Sequence, residues 1–143
     1  MKIKNIIIGS DHAGFLLKEE LKKYLAELGC VIEDIGVYTE QAADYPVIAA
    51  QAAKKAVSEN KPAVLICGTG IGMSIAANKI KGARAALCYD ASIAKLSRKH
   101  NNANILCLGA RMTSSAAAKD ILQTWLDTDF EAGRHQKRID MIE

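Results

Sequence analysis

The chain has 143 residues, half of them hydrophobic and 24% charged, with a formal net charge of +3. That size suits one ordinary globular domain with a sizeable core, taken here as residues 1–143. The small charge and the few aromatics, none interleaved with basic residues, speak against nucleic acid; the lack of an apolar stretch of ~18 residues or of a charged-then-apolar leader speaks against membrane insertion or export, so the chain reads as cytoplasmic.

In chain order, KNIIIG (4–9) reads as a buried strand. Leu17, Leu21, Tyr24, Leu25 and Leu28 then share one helical face before Gly29 stops the helix, with Asp11 where an N-cap belongs. VIEDIG (31–36) is a second strand, and Pro46 opens a helix running through Ala49, Ala52, Ala53 and Val57. AVLIC (63–67) is a third strand, followed by a helix from about Gly72 to Ile80, a strand at 83–88, a helix from about Ser92 to Lys99 and a strand at 103–109. A last helix covers Ser114 to Leu126, and residues 131–143 form a basic tail. Apolar strands alternating with helices describe a five-stranded parallel sheet covered on both faces, a Rossmann-like three-layer α/β/α sandwich. Strand order is not readable from the alternation.

In open parallel sheets ligands bind beyond the carboxyl ends of the strands. Three endings here are suggestive: GSDHAG (9–14), CGTGIG (67–72) and GAR (109–111). Asp11 suits a cap as well as a ligand. His12, expected in the first helical turn, has an unfavourable dipole interaction when protonated and is expected neutral unless an anion sits beside it. Cys30, Cys67, Cys88 and Cys107 lie far apart with no CxxC pair, which argues against both a zinc site and a redox motif, and most are expected to be buried free thiols. Cys67 differs in position. A thiol ending a strand just before the N–H groups of a tight turn can be held as thiolate, the form that acts as base or nucleophile. No lysine follows Gly72 as a Walker loop requires. The dinucleotide spacing GxGxxG also fails at Met73, although Asp90 stands where the acidic ribose-binding residue would.

Two further clusters lie outside those endings. In SRKHNNAN (97–104), His100 falls in a last helical turn that favours its protonated form, and Asn101 or Asn102 suits a left-handed cap. In GRHQKR (133–138), Arg134 and Arg138 lie one turn apart if the segment is helical, and two guanidiniums on one face make a phosphate site. A capped helix end and a solvated basic tail explain the same segments without function.

GSDHAG, ADYP (43–46), CGTGIGMSIAANK (67–79), LSRKHNNANIL (96–106), GAR and EAGRHQKR (131–138) together resemble the type B ribose-5-phosphate isomerases, in the family that includes the galactose-6-phosphate isomerase subunits. The resemblance spans nearly the whole chain. It implies interconversion of ribose 5-phosphate and ribulose 5-phosphate in the non-oxidative pentose phosphate pathway, with no metal or cofactor. It further implies that Cys67 takes the C2 proton and that His100 opens the furanose ring. Asp11, His12, Tyr45, the loop Gly68, Thr69, Gly70, Ile71 and Gly72, with Asn101, Arg111, Arg134 and Arg138, would surround the sugar phosphate. The chemistry is consistent with these roles: a base at C2, amide donors for the enediolate oxygens, a relay between O1 and O2 for which Thr69 is a candidate, and an acid for ring opening.

The topology then poses a conflict. Each helix returns toward the amino ends of the strands, so His100 and Asn101 belong at the opposite end from Cys67, and a helix of about nine residues separates those ends by ~13 Å. The expected resolution is a homodimer or higher homo-oligomer whose sites are shared between subunits, with the subunit of Arg134 and Arg138 left open. Competing readings are a hexose-6-phosphate isomerase, a non-catalytic sugar-phosphate or nucleotide binder, and a redox or flavin module.

Overall fold

A computed structural model describes residues 3–143. The elements are β1 (Asn5–Ser10), α1 (Phe15–Glu27), β2 (Val31–Asp34), α2 (Tyr45–Glu59), β3 (Ala63–Cys67), α3 (Ile71–Ala77), β4 (Ala85–Leu87), α4 (Ala91–Asn101), β5 (Ile105–Gly109), α5 (Ser115–Asp127) and α6 (Arg134–Asp140). All strand pairs are parallel, in the order β2-β1-β3-β5-β4. The expected three-layer α/β sandwich is therefore present. The central strands are buried on both faces, as at Ile6, Ile7, Ile8, Val64, Leu65 and Ile66, and each such side chain contributes roughly 1.5–3 kcal/mol by leaving water.

One face of the sheet carries α1, α4 and α5, whose Leu21, Leu25, Ala94, Ile121, Leu122 and Trp125 pack on Ile6, Ile8, Val64 and Ile66. The other carries α2 and α3, with Ala49, Ala52, Ala53 and Ala56 against Ile7, Ala63 and Leu65. Ala56, not Val57, completes the inner stripe of α2; Val57 is partly exposed.

The structure changes two more local expectations and decides the cap of α4 between its two candidates. The N-cap of α1 is Gly14, because a tight turn over residues 12–14 precedes the helix. Asp11 serves that turn instead, its Oδ1 accepting the Gly14 N–H at 3.1 Å. The left-handed cap of α4 is Asn102 (φ 46°), which leaves Asn101 as the exposed last helical residue. The segment expected as a tail contains helix α6, anchored by buried His135 and Ile139. Asp90 is accounted for as the N-cap of α4, accepting the Ile93 N–H at 2.8 Å.

Candidate active site

The loop after β3 is drawn tightly over the carboxyl end of the sheet. Cys67 pairs in register with Gly109 of β5, and its carbonyl accepts the Ala110 N–H at 2.9 Å. Gly70 lies at φ +81°, where a Cβ would stand 2.9 Å from the Leu108 carbonyl carbon. Only glycine allows this approach. The chain thereby turns back so that the Gly70 N–H donates to Cys67 Sγ at 3.1 Å, while the Ile71 N–H donates to Thr69 Oγ1 at 3.2 Å. Neither amide is spent on a helix or sheet hydrogen bond. Tyr89 donates its hydroxyl to the Thr69 carbonyl at 2.8 Å and fixes the loop from above.

All four cysteines are buried and free. Burial pushes the Cys30 and Cys107 thiols up and Cys88 up to about 11, so these three are thiols at neutral pH. Cys67 is distinguished by its place, with a backbone donor on its sulfur at the mouth of the loop.

The neighbouring strand endings surround this sulfur. Asp11 is buried beyond β1, and its N–H donates to the Ile66 carbonyl at 3.2 Å. His12 is exposed, with Nδ1 accepting the Ala43 N–H at 3.2 Å, which leaves Nε2 to donate. Tyr45 opens α2 with its ring packed against Gly72, where any side chain would overlap it. The Arg111 guanidinium lies beside Gly68, where an added Cβ would come within 2.9 Å of Nη1. Asp11, His12, Tyr45, Cys67, Gly68, Thr69, Gly70, Ile71, Gly72 and Arg111 thus converge at the carboxyl end of the strands.

His100, Asn101, Arg134 and Arg138 do not join them. The residues just beyond α4 belong to the amino end of the sheet: the Asn104 carbonyl accepts the Ala63 N–H at 3.0 Å, and the Asn101 carbonyl accepts from Arg84 Nε at 3.1 Å just ahead of β4. Four residue steps of β3 at ~3.3 Å separate that end from Cys67 by about 13 Å. The α6 segment sits with His100. The Glu131 N–H donates to the Lys99 carbonyl at 3.1 Å, and the His135 ring stacks on His100 with centroids 4.3 Å apart and 16° between planes. Arg134 and Arg138, both exposed and one turn apart, are therefore carried beside His100.

His135 was not singled out from the sequence, although its four-residue spacing from Glu131 was a signal. Burial, then the positive charges of Arg134 and His100, hold it below the usual imidazole range. A hydrogen bond with Lys99 holds Glu131 below the usual carboxylate range.

The chain matches the family described as Ribose/Galactose Isomerase over residues 6–142. It is 44% identical over 141 residues to the ribose-5-phosphate isomerase B of Escherichia coli, covering 98% of this chain and 95% of that protein. A ribose 5-phosphate isomerase from Thermotoga maritima superposes with a TM-score of 0.95 at 47% identity, covering 97% of each chain. The Mycoplasma genitalium ribose-5-phosphate isomerase B, solved with bound ribulose-5-phosphate, superposes with a TM-score of 0.93 at 41% identity, covering 99% of this chain and 95% of that one.

Proposed function

This chain belongs to the ribose/galactose isomerase family, and we propose that it interconverts ribose 5-phosphate and ribulose 5-phosphate with Cys67 as the base at C2. The observation that carries this reading is the Gly70 N–H on Cys67 Sγ at the mouth of the glycine loop. A thiolate accepts that hydrogen bond more strongly than a thiol does. Cys67 removes the C2 proton, the C2–H electron pair forms the C1–C2 double bond of an enediolate, and the proton returns at C1. Loop amides aimed at the enediolate oxygens act on charge that develops along the reaction, where the loss of one donor typically costs ~10²-fold or more. Thr69, exposed beside them, relays the proton between O1 and O2.

His100 donates a proton to the ring oxygen to open the furanose, and it does so in the pocket of a second subunit. The separation of His100 from Cys67 supports that division. So do the apolar residues left exposed around edge strand β4: Ile71 and Ile75 of α3, Tyr89, and Ile93 and Leu96 of α4. Arg134 and Arg138 cross with His100 and hold the phosphate by charge-assisted, bidentate hydrogen bonds, while Asn101 contacts the sugar. A doubly charged substrate of this kind does not cross membranes unaided, which fits a cytoplasmic site of action.

The test is solvent-deuterium exchange at C2 of ribose 5-phosphate, with kcat/KM compared on five- and six-carbon aldose phosphates. The expected result is exchange by the wild type, its loss in Cys67→Ala, and preference for the pentose. Binding without exchange by the wild type would make the protein a binder, undiminished exchange in Cys67→Ala would remove the thiol from the chemistry, and preference for the hexose phosphate would reassign the substrate.

A further inference from the structure

We infer that His100, Glu131 and His135 form a binding site for one zinc ion per chain, and that its occupation reversibly inhibits the isomerase. One ligand atom from each residue lies within 4.8 Å of the other two. Two imidazoles and one carboxylate are an ordinary zinc donor set, and a tetrahedral ion with bonds of 2.0–2.1 Å wants ligand–ligand separations of about 3.3 Å. The two imidazoles are stacked with 16° between their planes, so their in-plane lone pairs do not meet as they stand; closing on one ion requires half-buried His100 to turn out of the stack and exposed Glu131 to rotate toward buried His135.

The backbone brings the three together independently of any ligand. The Glu131 N–H is pinned to the Lys99 carbonyl at 3.1 Å, next to His100, and Glu131 stands four residues ahead of His135. The carboxylate is divided between two tasks. Its Oε1 lies 3.1 Å from Lys99 Nζ, and its Oε2 turns toward His135 Nε2 at 3.7 Å, beyond hydrogen-bond reach. Such an outer partner orients a ligating carboxylate.

The second observation is His135 itself. It is 7% exposed, and its Nε2 is buried without a hydrogen-bond partner. Folded chains rarely leave a polar nitrogen in that condition. A cation held between Nε2, Oε2 and an imidazole nitrogen of His100 satisfies it and leaves a coordination position toward solvent for water.

The inhibitory consequence, unlike the site, rests on the reading of His100 as the ring-opening acid: the ring-opening acid is tied up when its imidazole coordinates zinc. The experiment uses the full chain, freed of metal by a chelator and titrated with zinc against a chromophoric chelator. One site per chain is expected, weakened about tenfold or more in both Glu131→Gln and His135→Gln and unchanged in Cys67→Ala. Cobalt in the same site should show visible d–d bands without a thiolate charge-transfer band. Glu131→Gln should keep basal isomerase activity and lose its sensitivity to zinc. Unchanged affinity in both ligand variants, or affinity that disappears in Cys67→Ala, would overturn the site. Zinc that binds as described yet leaves turnover of ribose 5-phosphate untouched would support the site and overturn the assigned role of His100.

Discussion

Gly70 donates its backbone N–H to Cys67 Sγ at 3.1 Å from a left-handed conformation, with the Leu108 carbonyl close behind it. The loop geometry and the donor on the sulfur are therefore one feature. Gly70→Ala should cost about 1–2 kcal/mol for the left-handed backbone alone, with more for the contact at Leu108. In urea unfolding the midpoint should fall. If the donor serves the thiolate, kcat should drop further than KM changes; a loss of stability with kcat intact would separate loop from chemistry.

If His100 opens the furanose ring, its loss should weigh on one direction of the reaction more than the other. Ribose 5-phosphate is mostly a closed furanose, whereas ribulose 5-phosphate cannot form a furanose through its phosphorylated C5 hydroxyl and is open-chain. His100→Asn should therefore lose about 10²-fold or more in turnover from ribose 5-phosphate. It should retain far more of the deprotonation step when ribulose 5-phosphate is supplied, read as solvent-deuterium exchange at C1. Equal losses in both assays would make His100 a general structural or binding residue.

Away from the site, fully buried Lys18 makes an ion pair with Asp34 at 2.7 Å, and Lys22 reaches the same carboxylate at 2.8 Å. Burial alone would raise Asp34; hydrogen bonds from Lys18, Lys22 and the Gly36 N–H overcome it and hold the carboxyl below its ordinary value. A group depressed on folding contributes stability that is present above its unfolded value, about 3.9, and is lost as pH falls through the folded one. Wild-type unfolding free energy should therefore begin to drop below about pH 4. In Lys18→Met/Asp34→Asn that acid dependence should shrink, with little change at neutral pH. Asp34→Asn alone should cost about 3–5 kcal/mol at pH 7, because it takes the close carboxylate from a buried cation that keeps only the Val37 carbonyl at 2.6 Å and Glu19 at 3.9 Å. A variant as acid-sensitive as the wild type would contradict the account.

Much of this was legible in the residues, and what was hidden has a physical reason. AVLIC marks β3 at its observed bounds because a buried parallel strand is apolar throughout, and Pro46 marks the start of α2 because its fixed φ suits a first turn. Strand order was not readable, since an apolar run shows that a strand is buried but not which neighbour it pairs with. Lys18 reads as surface in any helical pattern; only the approach of β2 reveals Asp34 as its partner. Asp11 looked like a helix cap because its carboxylate makes a capping bond, but to the turn that precedes α1. The cluster around Cys67 was legible because parallel strands deliver their endings to one edge. Helix α6 was obscured by its charged surface, with only His135 and Ile139 turned inward, so the company that Arg134 and Arg138 keep with His100 emerged only from the fold.

In the proposed enzyme one active site needs two chains: Cys67 and its loop from one, His100, Arg134 and Arg138 from another. The direct measurement is subunit complementation. Inactive Cys67→Ala and His100→Ala chains are mixed under conditions that let wild-type subunits exchange, and activity on ribose 5-phosphate is followed. In a dimer with random exchange, half of the assemblies are hybrids with one intact site of two, so about a quarter of wild-type activity should return. Exchange demonstrated by mass spectrometry with no recovery of activity would contradict the shared site.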